Sequence, residues 1–266
     1  MANIDGSVRG GALLGTTAEI GDFAPLLRFL LLICLTTFGL LTLWYFGLLQ
    51  LVLETDHTRV SVLIFAFFCL TSLHCLFQTI EISSELVKAR KVRETIEADS
   101  GSGFRILDNQ VITGRGNVLE PSIFAAYVAN LIRKGRLQAH KHVDQTLLLR
   151  ALADKLRSRE KLGLFVSEAL LRLALLGTAV GFILMLVPIS GLTSFETETL
   201  RGALGGMTGG MAVALNVTVT GIASALVLKL EYYLLDNAIA ELFEMITETT
   251  EIHVVSALER GPDARD

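Results

Sequence analysis

The chain has 266 residues, 52% hydrophobic and 19% charged, with a formal net charge of −4 and a mean hydropathy of +0.55. A soluble domain carries about a quarter charged residues, so the apolar excess points to membrane spans. The acidic balance without a basic tract argues against a nucleic-acid partner, and four prolines with no low-complexity tract argue against a disordered chain.

Spanning a bilayer takes roughly 20 consecutive apolar residues. After an N-terminal segment (1–24), four stretches qualify: Pro25 to Leu53, Val60 to Ile80, Ala169 to Ile189 and Met207 to Leu230. The first starts too late, runs too long and lacks the small-residue pattern expected of a cleaved signal peptide. Cys34, Cys69 and Cys75 all fall in apolar runs, so they read as small buried hydrophobes and not as a disulfide or metal set.

The flanking charges give the orientation. Arg28 opens span one; Lys88, Arg90, Lys91 and Arg93 follow span two; Arg157, Arg159 and Lys161 precede span three; and Lys229 closes span four. The loops Glu54 to Arg59 and Ser190 to Gly206 are short and net acidic. The positive-inside rule then places both termini and the 81–168 segment in the cytoplasm.

Within that insert, Ser84 to Ala98 keeps Leu86, Val87, Val92 and Ile96 near helical spacing and reads as a continuation of span two. Ser100 to Gly103 and Thr113 to Asn117 are loop signals. Pro121 with Ser122 is placed to open a helix carrying Ile123, Phe124, Tyr127, Val128 and Leu131 on one face, and a second helical pattern runs from Thr146 to Leu162. Residues 231–266 carry the stripe Leu234, Leu235, Ile239, Leu242, Phe243 and Ile246, expected to extend span four. The expected architecture is an all-α membrane protein: transmembrane helices one and two (25–80), a helical cytoplasmic insert (81–168) forming a collar, transmembrane helices three and four (169–230), and a cytoplasmic helical tail (231–266).

Span four is the most informative segment. At about 100° per residue, Asn216, Thr220 and Ser224 share one face, and Ala214, Thr218, Gly221 and Ala225 share nearly the opposite one. A polar stripe and a small-residue stripe on one helix imply a structured neighbour on each side. Span three supplies Gly177 and Gly181 at small-xxx-small spacing, with Thr178 between them. Two readings stand. Thr and Ser in membrane helices often bond back to the i−4 carbonyl with no other role, and the glycines then serve packing alone. Alternatively the polar groups, costly in hydrocarbon when unpaired, line an ion pathway. No Asp or Glu occurs within 169–189 or 207–230. Carrying a proton or sodium ion normally uses a carboxylate, so conduction here requires one from another polypeptide.

Other polar residues carry less. His74 is the only mid-span histidine, and it reads more readily as satisfied by a neighbouring helix than as a relay. Arg172 is placed to snorkel, and Lys229 and Glu231 mark the interfacial end of span four. There is no Gly-x-Ser-x-Gly, His-Glu-x-x-His or phosphate-binding Gly loop, so no enzymatic activity and no cofactor is expected. His140 and His142 lack a further ligand at metal spacing and read as part of a solvated face, which leaves no expected metal site.

Leu175-Leu176-Gly177-Thr178-Ala179-Val180-Gly181 and Met211 to Gly221 resemble the span-three and span-four motifs of the MotA/TolQ/ExbB family of ion-channel subunits. Four spans with both ends inside resemble its flagellar-stator branch. Leu171 and Gly209 stand where that branch often has proline, Val213 stands where ExbB-like members have Glu, and Asn216 and Thr220 are more polar than usual, which marks a divergent member. The resemblance implies a bacterial inner-membrane subunit that converts proton or sodium flow into mechanical work. It also implies a homopentamer around two copies of a single-span partner of the MotB/TolR/ExbD type, which brings the ion-carrying Asp. The family's pore-lining threonines correspond to Thr178 and Thr218. The ion-pathway set is therefore Thr178, Thr218, Asn216 and Thr220, and the close-packing set is Gly177, Gly181, Ala214 and Gly221. The alternatives are a membrane scaffold without conduction and a secondary transporter; the latter class shows internal repeats, and none is found here.

Overall fold

The computed structural model describes residues 24–47, 50, 59–99, 103–107, 110–138, 144–190 and 197–259. The elements are α1 (Ala24–Tyr45), α2 (Val60–Ala98), β1 (Phe104–Leu107), β2 (Gln110–Thr113), α3 (Ile123–Leu137), α4 (Thr146–Arg157), α5 (Lys161–Ser190) and α6 (Thr197–Thr249), followed by a π-helical segment (Thr250–Val255) and α7 (Ser256–Glu259). Four helices, α1, α2, α5 and α6, are long and apolar enough to cross a membrane. The chain is therefore a multi-pass membrane protein, predominantly helical. Span one ends at Tyr45, where the chain turns through Phe46 and Gly47 (φ 72°). The further extension toward Leu53 lies outside the described residues.

The chain divides into two compact units. One comprises Phe29–Phe77 and Glu160–Leu234 and holds the apolar lengths of all four spanning helices. The other contains Gln78–Arg159 and Leu235 onward. With 39 and 53 residues, α2 and α6 extend about 60 and 80 Å at 1.5 Å per residue, well beyond a hydrocarbon core of about 30 Å. Each contributes its later turns to the second unit, as the periodicity after Ser84 and Glu231 implies.

The core of that second unit is shared among its helices. Ile82, Leu86, Val92 and Ile96 of α2, Phe124, Val128 and Leu131 of α3, Leu152 and Leu156 of α4, and Leu235, Ile239, Leu242 and Ile246 of α6 are all buried. At about 25 cal/mol per Å2 of apolar surface, such a layer stabilises segments too charged to form a core alone. Ser122 caps α3: its Oγ accepts from the Ala125 N–H at 3.1 Å, and Glu85 of α2 accepts from the Ile123 N–H at 2.7 Å. Ser122→Ala is expected to lower stability by about 1 kcal/mol, read as a reduced midpoint in a thermal melt of detergent-solubilised protein.

Two expectations are corrected here. The 81–168 segment is not wholly helical: β1 and β2 pair antiparallel from Phe104↔Thr113 to Leu107↔Gln110. The segments Phe-Arg-Ile-Leu and Gln-Val-Ile-Thr flank Asp108 and Asn109, a turn signal too short to stand out among the helical patterns around it. The pattern from Thr146 to Leu162 is also not one helix, since Ser158 to Glu160 form a turn between α4 and α5.

The loop after β2 is tied to α2 by buried Asp99. Its Oδ2 accepts from the Thr113 hydroxyl and from Asn117 Nδ2 (3.0 Å), while Arg115 Nη1 reaches Oδ1 at 3.4 Å and the Ala98 carbonyl at 2.8 Å. Gly116, at φ 94°, occupies the left-handed region this turn requires. The Thr113 hydroxyl above all, then Asn117 and Arg115, hold the Asp99 carboxyl below its ordinary range. A depressed folded-state value stabilises above the unfolded value of about 3.9 and is lost as pH falls through the folded one. The wild-type hairpin is thus expected to lose protection against amide exchange on acidification below about pH 4, whereas Asp99→Asn is weaker at neutral pH and flatter with pH.

A second buried polar node joins α3 to the end of α6. Gln145 Oε1 accepts from the Tyr127 hydroxyl (3.0 Å) and the Thr250 hydroxyl (3.2 Å), and Gln145 Nε2 donates to Glu251. Thr250 and Glu251 belong to the π-helical segment. His140 and His142 lie outside the described residues.

Candidate functional site: a glycine-packed threonine pair

Within the spanning unit, α5 and α6 form an antiparallel pair whose contact surface is made of small residues. A Cβ on Gly181 would lie 2.6 Å from the Ala214 backbone nitrogen and 2.7 Å from its Cα. On Gly210 it would lie 2.4 Å from the Met185 nitrogen; on Gly221, 2.4 Å from the Ala174 Cβ; and on Gly177, 2.2 Å from Val217 Cγ1. Each glycine therefore lets a neighbouring residue occupy the space of its missing side chain, which is how helices approach closely in lipid. Lower in the pair, Ser167 Oγ donates to the Ala225 carbonyl at 3.1 Å.

That approach brings Thr178 and Thr218 together, with their hydroxyl oxygens 2.6 Å apart. Each also bonds back to its i−4 carbonyl, Thr178 to Ala174 (2.9 Å) and Thr218 to Ala214 (2.8 Å). A hydroxyl has one donor and two acceptor positions. With one proton on its own helix and the other shared, the pair retains acceptor capacity for an incoming O–H. Both residues are half-buried.

Asn216 and Thr220 are not part of this pair. They are half-buried on another face of α6, where the Thr220 hydroxyl donates to the Asn216 carbonyl at 2.8 Å, and Ser224 on the same stripe is buried. Of the small residues, Gly181 packs on Ala214, Gly177 on Val217 and Gly221 on Ala174. No group of His, Cys, Asp and Glu fit to hold a metal occurs among the described residues.

Of the remaining polar residues, some fall as the sequence reading has them and others do not. His74 Nδ1 lies 3.0 Å from the Tyr232 hydroxyl, so a neighbouring helix does satisfy it. Arg172 pairs with Glu168 one turn earlier at 3.2 Å. None of the three cysteines forms a disulfide; Cys75 is buried, and Cys34 and Cys69 are exposed in the single chain. Glu231 is buried inside the chain: it is 1% exposed and bonded to Ser72 of α2. The apolar run ending at Leu230 hid this, because Ser72 lies eight residues before the apolar stretch of α2 ends at Ile80.

Four long apolar helices, two of them meeting at a small-residue seam that brings a half-buried hydroxyl pair together, define a multi-pass membrane protein. The profile of the MotA/TolQ/ExbB proton channel family matches residues 121–248, which run from the start of α3 through nearly all of α6 and include both threonines. Over that stretch, 128 of its 266 residues, the chain is similar to that family. No curated protein and no solved structure shows significant similarity to it.

Proposed function

We propose that the protein is a subunit of an inner-membrane proton channel that converts ion-motive force into mechanical work, with five copies surrounding two copies of a single-span partner. The observation that carries this reading is the Thr178–Thr218 hydroxyl pair, 2.6 Å apart on a glycine-packed helix pair. That helix pair contains no acidic side chain of its own between Ala169 and Ile189 or between Met207 and Leu230. A polar track without a titratable acid needs one from outside. The partner's helix supplies an Asp, and the threonines hydrogen-bond it as it loads and unloads a proton.

The exposed apolar side chains of α5 and α6 support assembly in a bilayer: Leu175 is 70%, Leu215 60% and Val219 66% exposed in the single chain. Lipid, neighbouring copies and the partner helix cover them. Both termini and the second unit face the cytoplasm in this reading, as the flanking basic residues direct.

The test is co-expression with single-span proteins encoded beside it that carry an Asp just inside the membrane helix. Co-purification with one of them, a native mass corresponding to five plus two chains, and proton uptake into liposomes on coexpression are expected. A stable oligomer without flux in the presence of the partner would instead favour a scaffold.

A further inference from the structure

Glu231 is a buried carboxyl group that the threonine pair does not use. It lies 13 residues beyond Thr218 on α6, about 20 Å along the helix axis. Its Oε1 accepts from the Ser72 hydroxyl at 2.8 Å, while its Oε2 is buried with no hydrogen-bond partner. No Lys, Arg or His forms an ion pair with it among the described residues; Lys229, on the same helix, is exposed. The titratable groups within reach of its charge are Cys69 of α2 and its own neighbour Tyr232.

The site is built by three helices. Next to Ser72 and Glu231, α2 and α6 make a second cross-link between His74 Nδ1 and the Tyr232 hydroxyl, 3.0 Å apart. From α5, Gly163 makes room for the Tyr232 ring, since a Cβ there would lie 2.0 Å from the ring's Cζ. An ionised carboxylate sealed in this position, with one donor and no cation, is far costlier than the neutral acid. Ser72 serves Oε1 in either state, so Oε2 is the atom at which the proton is held. A buried acid in a membrane helix that pairs with nothing else is functional by default.

We propose that Glu231 is a proton-binding site carried by this chain itself: Oε2 takes up and releases the proton, Ser72 holds the carboxyl in place, and the proton belongs to the flow that passes the threonine pair. No covalent bond to carbon forms or breaks; the exchange is a proton moving from water or hydronium to the carboxylate and back. The assignment of that proton to the transported flow rests on the channel reading above, whereas the protonation of Glu231 does not.

The experiment has two arms. In the first, the full chain in lipid nanodiscs is titrated by infrared spectroscopy for the protonated-carboxyl C=O stretch. The expected result is a band present at neutral pH in the wild type, shifted in D2O and absent in Glu231→Gln. Ser72→Ala, which removes the single donor to Oε1, shifts that band without abolishing it and keeps the assignment testable if the Gln variant assembles poorly. Absence of a Glu231 band at neutral pH, or a band that does not exchange into D2O, overturns the proposal. In the second arm, proton uptake is measured for the chain with its partner in liposomes. Loss of most of the uptake in Glu231→Gln, with recovery in Glu231→Asp, supports it. Wild-type uptake left unchanged in Glu231→Gln overturns it while leaving the channel standing; no uptake in the wild type overturns the channel reading itself.

Discussion

Replacing Gly181 with alanine is expected to separate α5 from α6 and remove most folded protein from the membrane. The new Cβ would lie 2.6 Å from the Ala214 nitrogen and 2.7 Å from both its Cα and its Cβ. Backbone atoms cannot rotate away as a side-chain tip can, so the helices themselves must move apart. Overpacking costs about 1–3 kcal/mol where side chains can adjust, and the backbone obstacle places this variant at or beyond the upper end. The shift propagates one turn to Thr178, whose 2.6 Å contact with Thr218 depends on the same close approach. Gly209 is the control: nothing lies within 4 Å of a Cβ built there. Alanine at Gly209 relieves the helix penalty of glycine, about 1 kcal/mol, and is expected to be neutral or stabilising. Fluorescence-detected size exclusion with a temperature ramp distinguishes the two. Equal melting points for Gly181→Ala and wild type would remove the close-packed seam from the account.

The second large effect is functional. Thr178→Val and Thr218→Val preserve shape while deleting one hydroxyl each. A hydrogen bond between membrane helices contributes on average only about 0.6 kcal/mol, and each threonine otherwise bonds only its own helix and its partner. Melting temperature and oligomer mass are therefore expected to change little. Ion-driven activity is expected to be abolished, because the hydroxyls that would meet the partner's acid are gone, and serine at either position restores it in part. Complementation in cells and proton uptake in liposomes measure this. If both valine variants retain full activity, the threonines are packing residues with satisfied back-bonds, and the pore lies elsewhere.

Thr220→Val and Asn216→Ala separate the two stripes of α6. Thr220 bonds back to the Asn216 carbonyl and neither residue joins the threonine pair. If the pathway follows the pair alone, both variants keep most of the uptake. A loss as large as that of Thr218→Val would put the other face of α6 against the ion as well.

Much of this architecture was legible in sequence because the bilayer imposes it. Apolar stretches at Val60, Ala169 and Met207 must be helical where no water can satisfy the backbone, and charged residues mark where each leaves hydrocarbon. The stripe from Leu234 to Ile246 showed that α6 continues past its apolar length, since a 3.6-residue period survives the change of solvent. The small residues at Gly177, Gly181 and Ala214 marked the close contact for the same reason: nothing larger fits.

Elsewhere the sequence was silent or misleading. Four-residue strands such as Phe104–Leu107 are too short for periodicity to stand out among helical signals, and the Asp99 carboxylate that anchors their loop is 14 residues from Thr113. Glu231 follows a Lys-Leu pair at the end of an apolar run, so its neighbours describe an interface. Only the register of α2 against α6, which sets Ser72 opposite it 159 positions away, makes it a buried acid. Periodicity and composition act over a few turns and determine which segments are helices and which faces are small or polar. Which hydroxyl meets which, and which carboxyl loses its water, depends on how far one helix slides along another, and that is settled by packing between residues distant in the chain.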